Sequence, residues 1–255
     1  SIVEQWAHVA CYVPIEDYPL MRKRTLEGSR TSYFHGGASE NWEKVHAVFD
    51  SVRTNGPMSS SDFKSPKMPG GWWNWKFEKA ALEHWFNVGE LYVIRRDNFK
   101  RVYDLHERAM PEWDDANLPS MDEVYRQLIL KTIHVLGIAR ASWLDDYYRI
   151  SKKVVADFLP ELTNSGRVRE VSVEGWEKPA LYIPEDEPLL TAAVDGTLVA
   201  NHTTLLSPFD PLVWDRERTR QIFNFNFSIE CYLPKEKRKY GYFLLPILHN
   251  GELVG

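Results

Sequence analysis

The feature that most constrains the fold is an order of elements that occurs twice between residues 39 and 184. In each copy, amphipathic helical stretches are followed by the signal of a β-hairpin. Two helices of the first copy are indicated by apolar residues at helical spacing, which are Trp42, Val45, Phe49 and Val52, then Phe77, Ala81, Trp85 and Val88. Gly56 and Gly89 follow these helices and are expected to end them. Between them, residues 59–62 offer capping side chains for a short helix.

A β-hairpin is predicted directly after the helix at residues 76–88. Residues 91–94 and 99–103 are rich in β-branched and aromatic side chains, and a turn centred on Asp97 and Asn98 is expected to connect them. Three helices followed by a hairpin is the order of elements in a winged helix. The last helix is expected to pack through Phe77, Ala81 and Trp85.

The same order returns in residues 120–184. Ser120 and Glu123 have the spacing of a capping box, and the helix that they open is expected to bury Val124, Leu128, Thr132 and Val135. A short helix over residues 141–148 and a third helix capped by Ser151 should follow. The apolar stripe of the third helix is Val154, Val155, Phe158 and Leu162. A second hairpin is expected around residues 171–173 and 181–183. Because the copies share order and not residue identity, we predict tandem winged helices and not a solenoid.

The last part of the chain has a β-rich texture. After a helical stretch at residues 187–194, apolar and polar residues alternate over residues 224–233, which is typical of a half-buried strand. A second strand is expected over residues 240–248, and Asn250-Gly251 is a strong hairpin-turn signal. The chain stops soon afterwards, and it starts with neither a methionine nor a helix cap. We therefore expect a piece that lacks residues at both ends.

The predicted fold class is α+β, with tandem winged helices followed by a partial, barrel-like β-rich module. The expected divisions are a remnant of a preceding winged helix with a connector (1–38), a winged helix (39–110), a linker (111–119), a second winged helix (120–184), and a helical connector with a truncated β-module (185–255).

Composition excludes several classes of protein. The hydrophobic fraction is 44%, yet the 255 residues contain no apolar run of the roughly 20 residues that cross a bilayer. The two cysteines, Cys11 and Cys231, exclude a disulfide framework and a cysteine-rich zinc module, and they fit a reducing cytoplasm. The common nucleophile, phosphate-loop and metalloprotease motifs are absent from the sequence. We expect no metal and no cofactor.

Charge is unevenly distributed along the chain. The net charge is −5, but residues 64–108 contain nine Lys or Arg against six Asp or Glu. On the polar face of the helix at 76–88 the sequence places Lys76, Lys79 and Asn87, with Glu83 among them. The predicted wing contains Arg95, Arg96, Lys100 and Arg101, which are expected to be largely exposed and to neutralise DNA phosphates. The alternative is a basic solvated hairpin that binds protein or packs against its neighbour.

Further candidates have weaker support. Lys152 and Lys153 open the third helix of the second copy, but acidic residues surround them. Trp72, Trp73 and Trp75 could stack on bases, although aromatic residues just before a helix more often plug the core beneath it. His8 could titrate in a pocket beside Trp6, or it could be a packing residue.

Several stretches resemble one family, the YcaQ/AlkZ-like winged-helix DNA glycosylases, and most closely its YcaQ (AlkX) branch. They run in order along nearly the whole chain and are Trp6-Ala7-His8 with Pro14, Gly71-Trp72-Trp73-Asn74-Trp75-Lys76, Arg101-Val102-Tyr103-Asp104-Leu105, Met110-Pro111-Glu112-Trp113-Asp114-Asp115, Ser207-Pro208-Phe209-Asp210-Pro211 and Tyr240-Gly241-Tyr242. The resemblance implies a tandem winged-helix enzyme that excises N7-alkylated purines and unhooks interstrand crosslinks.

The resemblance also implies a chemistry. An N7-alkylated purine is cationic and leaves without a general acid, so the enzyme mainly stabilises charge at C1′ and positions a water. In the family, a Gln-x-Gln or Gln-x-Asp pair does this. Here Gln5, Gln127 and Gln221 are each followed by other residues. We therefore expect these 255 residues to be the DNA-binding body of the enzyme without its catalytic pair, with Trp6 and His8 as the pocket candidates.

The expected partner is double-stranded, damaged DNA, bound by a monomer without a membrane. The expected location is the bacterial cytoplasm, at the nucleoid when the protein is bound. The alternative function is that of a non-catalytic winged-helix DNA-binding protein or regulator.

Overall fold

The computed structural model describes residues 1–28, 41–64 and 76–254. The chain divides into two compact units, Ser1–Ile129 and Leu130–Gly255. Trp72, Trp73 and Trp75, for which base stacking or a core plug was considered, lie outside the described residues. Within the described residues, no helix is both long and apolar enough to span a bilayer.

The chain alternates short strands and helices. The first unit contains β1 (Ile2–Trp6), β2 (Ala10–Pro14), α1 (Tyr18–Leu26), α2 (Trp42–Asn55), α3 (Phe77–Asn87), β3 (Leu91–Asp97), β4 (Lys100–Leu105), α4 (His106–Ala109) and the start of α5 (Met121–Leu136). The second unit continues with α6 (Leu144–Tyr147), α7 (Lys152–Asn164), β5 (Arg169–Val171), β6 (Ala180–Tyr182), α8 (Glu187–Val194), β7 (Thr203–Leu205), α9 (Pro211–Trp214), α10 (Arg216–Phe223), β8 (Ile247–His249) and β9 (Glu252–Leu253).

The core of the first unit lies between α2, α3 and the β3–β4 hairpin. Val45, Phe49 and Val52 of α2 are buried there as the helical spacing predicts. Trp42, the fourth residue of the predicted stripe, lies in the first turn of α2 and is exposed, with an edge-to-face contact to His84. The α3 face is set by its buried residues, which are Ala80, Ala81, Leu82, Glu83 and Phe86. Phe77 and Trp85 are partly buried against the same core.

The β3–β4 hairpin confirms the prediction of an antiparallel pair, with its turn one residue later. Asp97 pairs with Lys100, so Asn98 and Phe99 form the two-residue loop. Both have a positive φ, 48° and 65°, which is the signature of a type I′ turn. Met58 bridges Tyr103 of β4, which adds a third backbone segment to this sheet.

The short helix expected to start at residues 59–62 is not present in the described part of that segment. Asp62 accepts a hydrogen bond from the Ser59 backbone N–H at 2.6 Å, and residues 60–63 form turns. An Asp three residues after a Ser stabilises a turn as well as a helix start, so this pattern alone does not distinguish the two.

The second copy of the pattern forms most of its predicted elements. Ser151 Oγ accepts from Val154 N at the start of α7, and Ala139 bridges Leu181 of the β5–β6 hairpin. In α5, Val124, Leu128 and Thr132 are fully buried, whereas the fourth predicted inward residue, Val135, is 52% exposed. Val135 lies in the last turn of α5, so the apolar stripe in the sequence extends beyond the buried part of the helix.

The C-terminal sheet is smaller than the sequence predicts. Strands β7, β8 and β9 form an open three-stranded antiparallel sheet, and Asn250-Gly251 makes the β8–β9 turn as expected. The segment 224–233 and most of 240–248 are not strands. In the first of them, Phe227 is buried beside Leu253 as the alternation predicts, but Glu230, expected to face outward, is buried because its carboxylate accepts hydrogen bonds from the backbone N–H groups of Tyr240 and Gly241.

Gly89 is a position where the fold depends on glycine. Its φ is +87°, and a Cβ there would overlap the Arg22 guanidinium, whose Nη1 donates to the Gly89 carbonyl at 2.5 Å. Gly89→Ala should therefore lower the free energy of unfolding by about 3 kcal/mol. The matched control is Gly166→Ala, which has a φ of +75° and open space around it, and should cost only about 1–2 kcal/mol. Urea unfolding measures both, and equal losses would contradict the packing argument.

Candidate nucleic-acid interface

Two buried carboxylates, Glu4 of β1 and Glu83 of α3, lie beneath the β3–β4 hairpin. Arg101 joins them, because its Nε donates to Glu4 Oε1 and its Nη1 to Glu83 Oε2, both at 2.5 Å. Tyr103 Oη donates to the other oxygen of Glu83 at 3.0 Å. The Arg101 side chain is only 12% exposed. This network fixes the hairpin to β1, which is distant in sequence, and to α3, which directly precedes the hairpin.

Arg96 extends the network to the tip of the hairpin. It donates to both oxygens of Glu4, from Nε at 2.9 Å and from Nη2 at 2.5 Å. Its third nitrogen, Nη1, donates to the carbonyl of Phe99 in the turn at 2.9 Å. Arg96 and Arg101 are directly opposite each other in the hairpin register, where like charges repel. Glu4 therefore neutralises an otherwise unfavourable cross-strand pair.

The pKa values agree with this geometry. Burial raises the pKa of Glu4, but the hydrogen bonds from Arg96 and the charge of Arg101 outweigh it, so the pKa lies below its usual value. For Arg101, burial lowers the pKa, but Glu83, Tyr103 and Glu4 together raise it above its usual value. Glu4 is therefore ionised and Arg101 protonated at neutral pH.

The expectation that all four wing cations are largely exposed is therefore wrong for Arg101, whose side chain is only 12% exposed. Arg96 is exposed as expected, but it also binds the buried Glu4, because a buried carboxylate must be paired with a cation. Arg95 is 53% exposed and has only a 3.2 Å contact with Asp97. Lys100 is exposed beside Ser61 Oγ at 3.4 Å. Arg95 and Lys100 are the wing cations that face solvent and bind neither Glu4 nor Glu83.

The α3 candidates differ in accessibility. Lys76, at the N-cap of α3, donates its Nζ to the Phe63 carbonyl at 2.9 Å. Lys79 and Asn87 are half-buried, and burial lowers the pKa of Lys79 despite its proximity to Glu83. Glu83, expected on the polar face, is buried because Arg101 and Tyr103 bind it. Glu83 is therefore not part of the polar face that α3 offers to a partner.

Lys152 and Lys153 lie in the first turn of α7 and are both exposed. Lys153 contacts Asp157 at 2.9 Å, one helical turn later. The first turn of α7 contains no acidic residue. Cations at this end oppose the helix dipole, so Lys152 and Lys153 are not explained by the dipole of α7.

Trp6 and His8, the pocket candidates, lie at the end of β1 and in the β1–β2 turn, and both are half-buried. A second cluster of polar side chains in the same unit lines a cavity of about 430 Å³. This cluster was not predicted from the sequence. There Arg22 makes two hydrogen bonds to Asp115, at 3.0 and 2.7 Å, and His106 Nε2 lies 3.0 Å from Tyr18 Oη. Burial, with the nearby Arg22 charge, lowers the pKa of His106 to about 4.

The family is identified by comparison with known proteins. A family model described as DNA glycosylase AlkZ-like matches residues 1–255. The chain belongs to the AlkZ-like DNA glycosylase family. The solved structure of Streptomyces sahachiroi DNA glycosylase AlkZ resembles this AlkZ-like chain with a TM-score of 0.57 and 16% identity. The match covers 100% of this chain and 70% of that chain. At this identity, the structural match is evidence for the fold alone.

Membership of the AlkZ-like family confirms the resemblance inferred from the sequence motifs. The stretches that suggested it lie in both units. Residues 101–105 form most of β4, and Met110, Pro111, Trp113 and Asp115 line the cavity beside His106. The stretch 71–76 lies almost wholly outside the described residues.

Substitution of Arg101 should show how much the buried network contributes to the free energy of unfolding. In Arg101→Met, Glu83 and Glu4 lose a charged partner in a buried site, so the free energy of unfolding should fall by about 3 kcal/mol. The matched control on the same hairpin is Arg95→Met, which should cost less than about 1 kcal/mol because its ion pair is exposed. Urea denaturation measures both, and equal effects would show that Arg101 contributes as a surface residue does.

His106 should make stability depend on pH. Its folded pKa is about 4 and its ordinary value is 6.5, so between these values the unfolded chain binds a proton that the folded chain does not. The free energy of unfolding should therefore fall as the pH drops from 7 to 5, by up to about 2 kcal/mol from this residue. His106→Gln should show a smaller fall in urea titrations at the two pH values. Parallel curves for the two proteins would rule out His106 as the source.

Proposed function

We propose that this chain is the DNA-docking body of a monofunctional DNA glycosylase that excises N7-alkylated purines and unhooks interstrand crosslinks. The observation that supports it most directly is the exposed pair Arg95 and Lys100 beside the wing turn, in a chain of the AlkZ-like family. The sequence motifs further favour the YcaQ (AlkX) branch.

Two winged helices provide the scaffold in this proposal. In each copy of the pattern, the segment after the first helix bridges the second strand of the hairpin, Met58 to Tyr103 in one and Ala139 to Leu181 in the other. The order is helix, bridging segment, helix, hairpin in the first copy, and the second copy adds the short α6 before α7, with α3 and α7 directly before the hairpins. In a winged helix, the helix before the hairpin approaches the major groove and the hairpin contacts the backbone.

The proposed DNA contacts follow from which polar groups are accessible. In the first copy they are Arg95 and Lys100 of the wing, with Lys76, Lys79 and Asn87 of α3 nearer the groove. In the second copy they are Lys152 and Lys153. Arg96 and Arg101 contribute by orienting the wing, because their hydrogen bonds hold it against Glu4 and Glu83.

The reaction requires little acid catalysis. When the C1′–N9 bond of an N7-alkylated purine breaks, both electrons leave with N9 and neutralise the cationic base. A water oxygen then bonds to C1′ and loses a proton. The groups that stabilise the charge at C1′ are not assigned among these 255 residues, and Trp6 and His8 are proposed only to line the pocket.

The wing contacts predict a specific salt dependence. Replacing Arg95 and Lys100 together by Gln should weaken duplex binding and lower the slope of log affinity against log salt by about 1.8, which is 0.9 for each lost phosphate contact. The control is Lys44→Gln with Arg53→Gln, two exposed cations of α2 that should leave the slope unchanged. Fluorescence anisotropy at several salt concentrations measures both. The same slope in all three proteins would contradict docking through this wing.

The enzymatic part of the proposal has its own test. The protein encoded by the complete gene should release 7-methylguanine from an alkylated duplex. If that protein binds the duplex with the predicted salt slope but releases no base, the alternative of a non-catalytic DNA-binding protein is correct.

A further inference from the structure

The tip of the β3–β4 hairpin presents one aromatic side chain to solvent. Phe99 is the second residue of the two-residue turn and is 91% exposed, the highest value among the large hydrophobic residues described. An exposed aromatic ring adds nothing to the core of this unit, so packing does not explain why phenylalanine occupies this position.

The backbone at Phe99 makes the residue more unusual. Its φ is +65°, a left-handed conformation that is unfavourable for bulky side chains. Type I′ turns strongly favour Asn-Gly, and Asn98 already supplies the first of these residues. Glycine at position 99 would remove the strain. The chain therefore retains a residue that folding alone disfavours, which is a common property of functional positions.

The turn is held in place by the buried network. Arg96 donates to the Phe99 carbonyl at 2.9 Å while its other nitrogens bind Glu4. Glu4 is buried in β1, so the tip is tied to a second strand pair and not only to its own hairpin. A ring on a fixed turn can be pushed into a partner with little loss of conformational freedom.

The surroundings of the ring indicate the chemistry of the partner. Arg95 and Lys100 lie on the two strands directly beside the turn, within a few residues of Phe99, and both face solvent. A flat apolar ring with a cation on each side is complementary to a polyanion whose stacked apolar groups lie between its negative charges. Duplex DNA has this structure, and apolar wedges are inserted between base steps by several DNA-binding proteins.

We propose that Phe99 is a wedge that inserts between stacked base pairs when the wing contacts phosphates through Arg95 and Lys100. This inference rests on the proposed DNA-binding function and assigns it a specific residue. Insertion would unstack one step of the duplex, which lowers the cost of turning a neighbouring base out of the helix.

The test uses a set of identical duplexes with 2-aminopurine at successive positions, since its fluorescence rises when it is unstacked. The wild-type protein should raise the fluorescence at one step. Phe99→Gly should remove that rise and weaken binding at least about 10-fold, because stacking of an aromatic ring on a base is lost. It should also keep or raise the melting temperature, because Asn-Gly suits the turn better. Phe99→Trp should retain the fluorescence rise.

The control variant is Tyr232→Ala, which removes another exposed aromatic side chain and should change neither fluorescence nor affinity. If Phe99→Gly lowers the melting temperature, Phe99 has a structural role and the wedge is wrong. If it binds and unstacks DNA as the wild type does, the wedge is wrong while DNA binding stands. Absence of salt-dependent duplex binding by the wild type would overturn the proposed function itself. Binding to phosphatidylserine vesicles that needs Phe99, without unstacking, would assign the tip to membranes.

Discussion

The pair of buried carboxylates, Glu4 and Glu83, beneath the β3–β4 hairpin is the constraint on which the arrangement of the first unit depends. Removing a carboxylate from water costs several kcal/mol unless cations and hydrogen bonds replace the lost hydration. Here Arg101 serves both carboxylates and Arg96 serves Glu4, so four elements, β1, α3, β3 and β4, are joined by one charge network. The hairpin therefore has a fixed orientation relative to α3, although it is a two-stranded ribbon.

This constraint divides the wing cations into two groups. Arg96 and Arg101 form one opposite pair in the register and point to the buried carboxylates, whereas Arg95 and Lys100 remain exposed. Arg96 and Arg101 hold the hairpin in place, whereas Arg95 and Lys100 offer positive charge to a partner. Because Arg96 also binds the carbonyl of Phe99, the buried network reaches the residue that we propose to contact the bases.

Periodicity predicted what depends on local sequence. The helices α2, α3, α5 and α7, the β3–β4 hairpin and the Asn250-Gly251 turn could be read from spacing and turn chemistry. Contacts between distant residues could not, since nothing near Arg96 indicates that its partner is Glu4, 92 positions earlier. The strand predicted at residues 224–233 is wrong for a similar reason: alternation indicated that Phe227 is buried, but it could not show whether another strand pairs with this segment. Placing the turn one residue too early assigned Phe99 to a strand and so concealed its exposure.

The most direct test of this account is the affinity of Glu4→Gln for duplex DNA at low salt, measured below the unfolding temperature with circular dichroism as a check on folding. Glu4 is a buried negative charge beneath the wing, so simple electrostatics predicts that removing it tightens binding to a polyanion. The account predicts the opposite, because Arg96 and the turn would lose their anchor and the wing its fixed orientation. Weaker binding by the folded variant would support the central role of the network, and unchanged or tighter binding would contradict it.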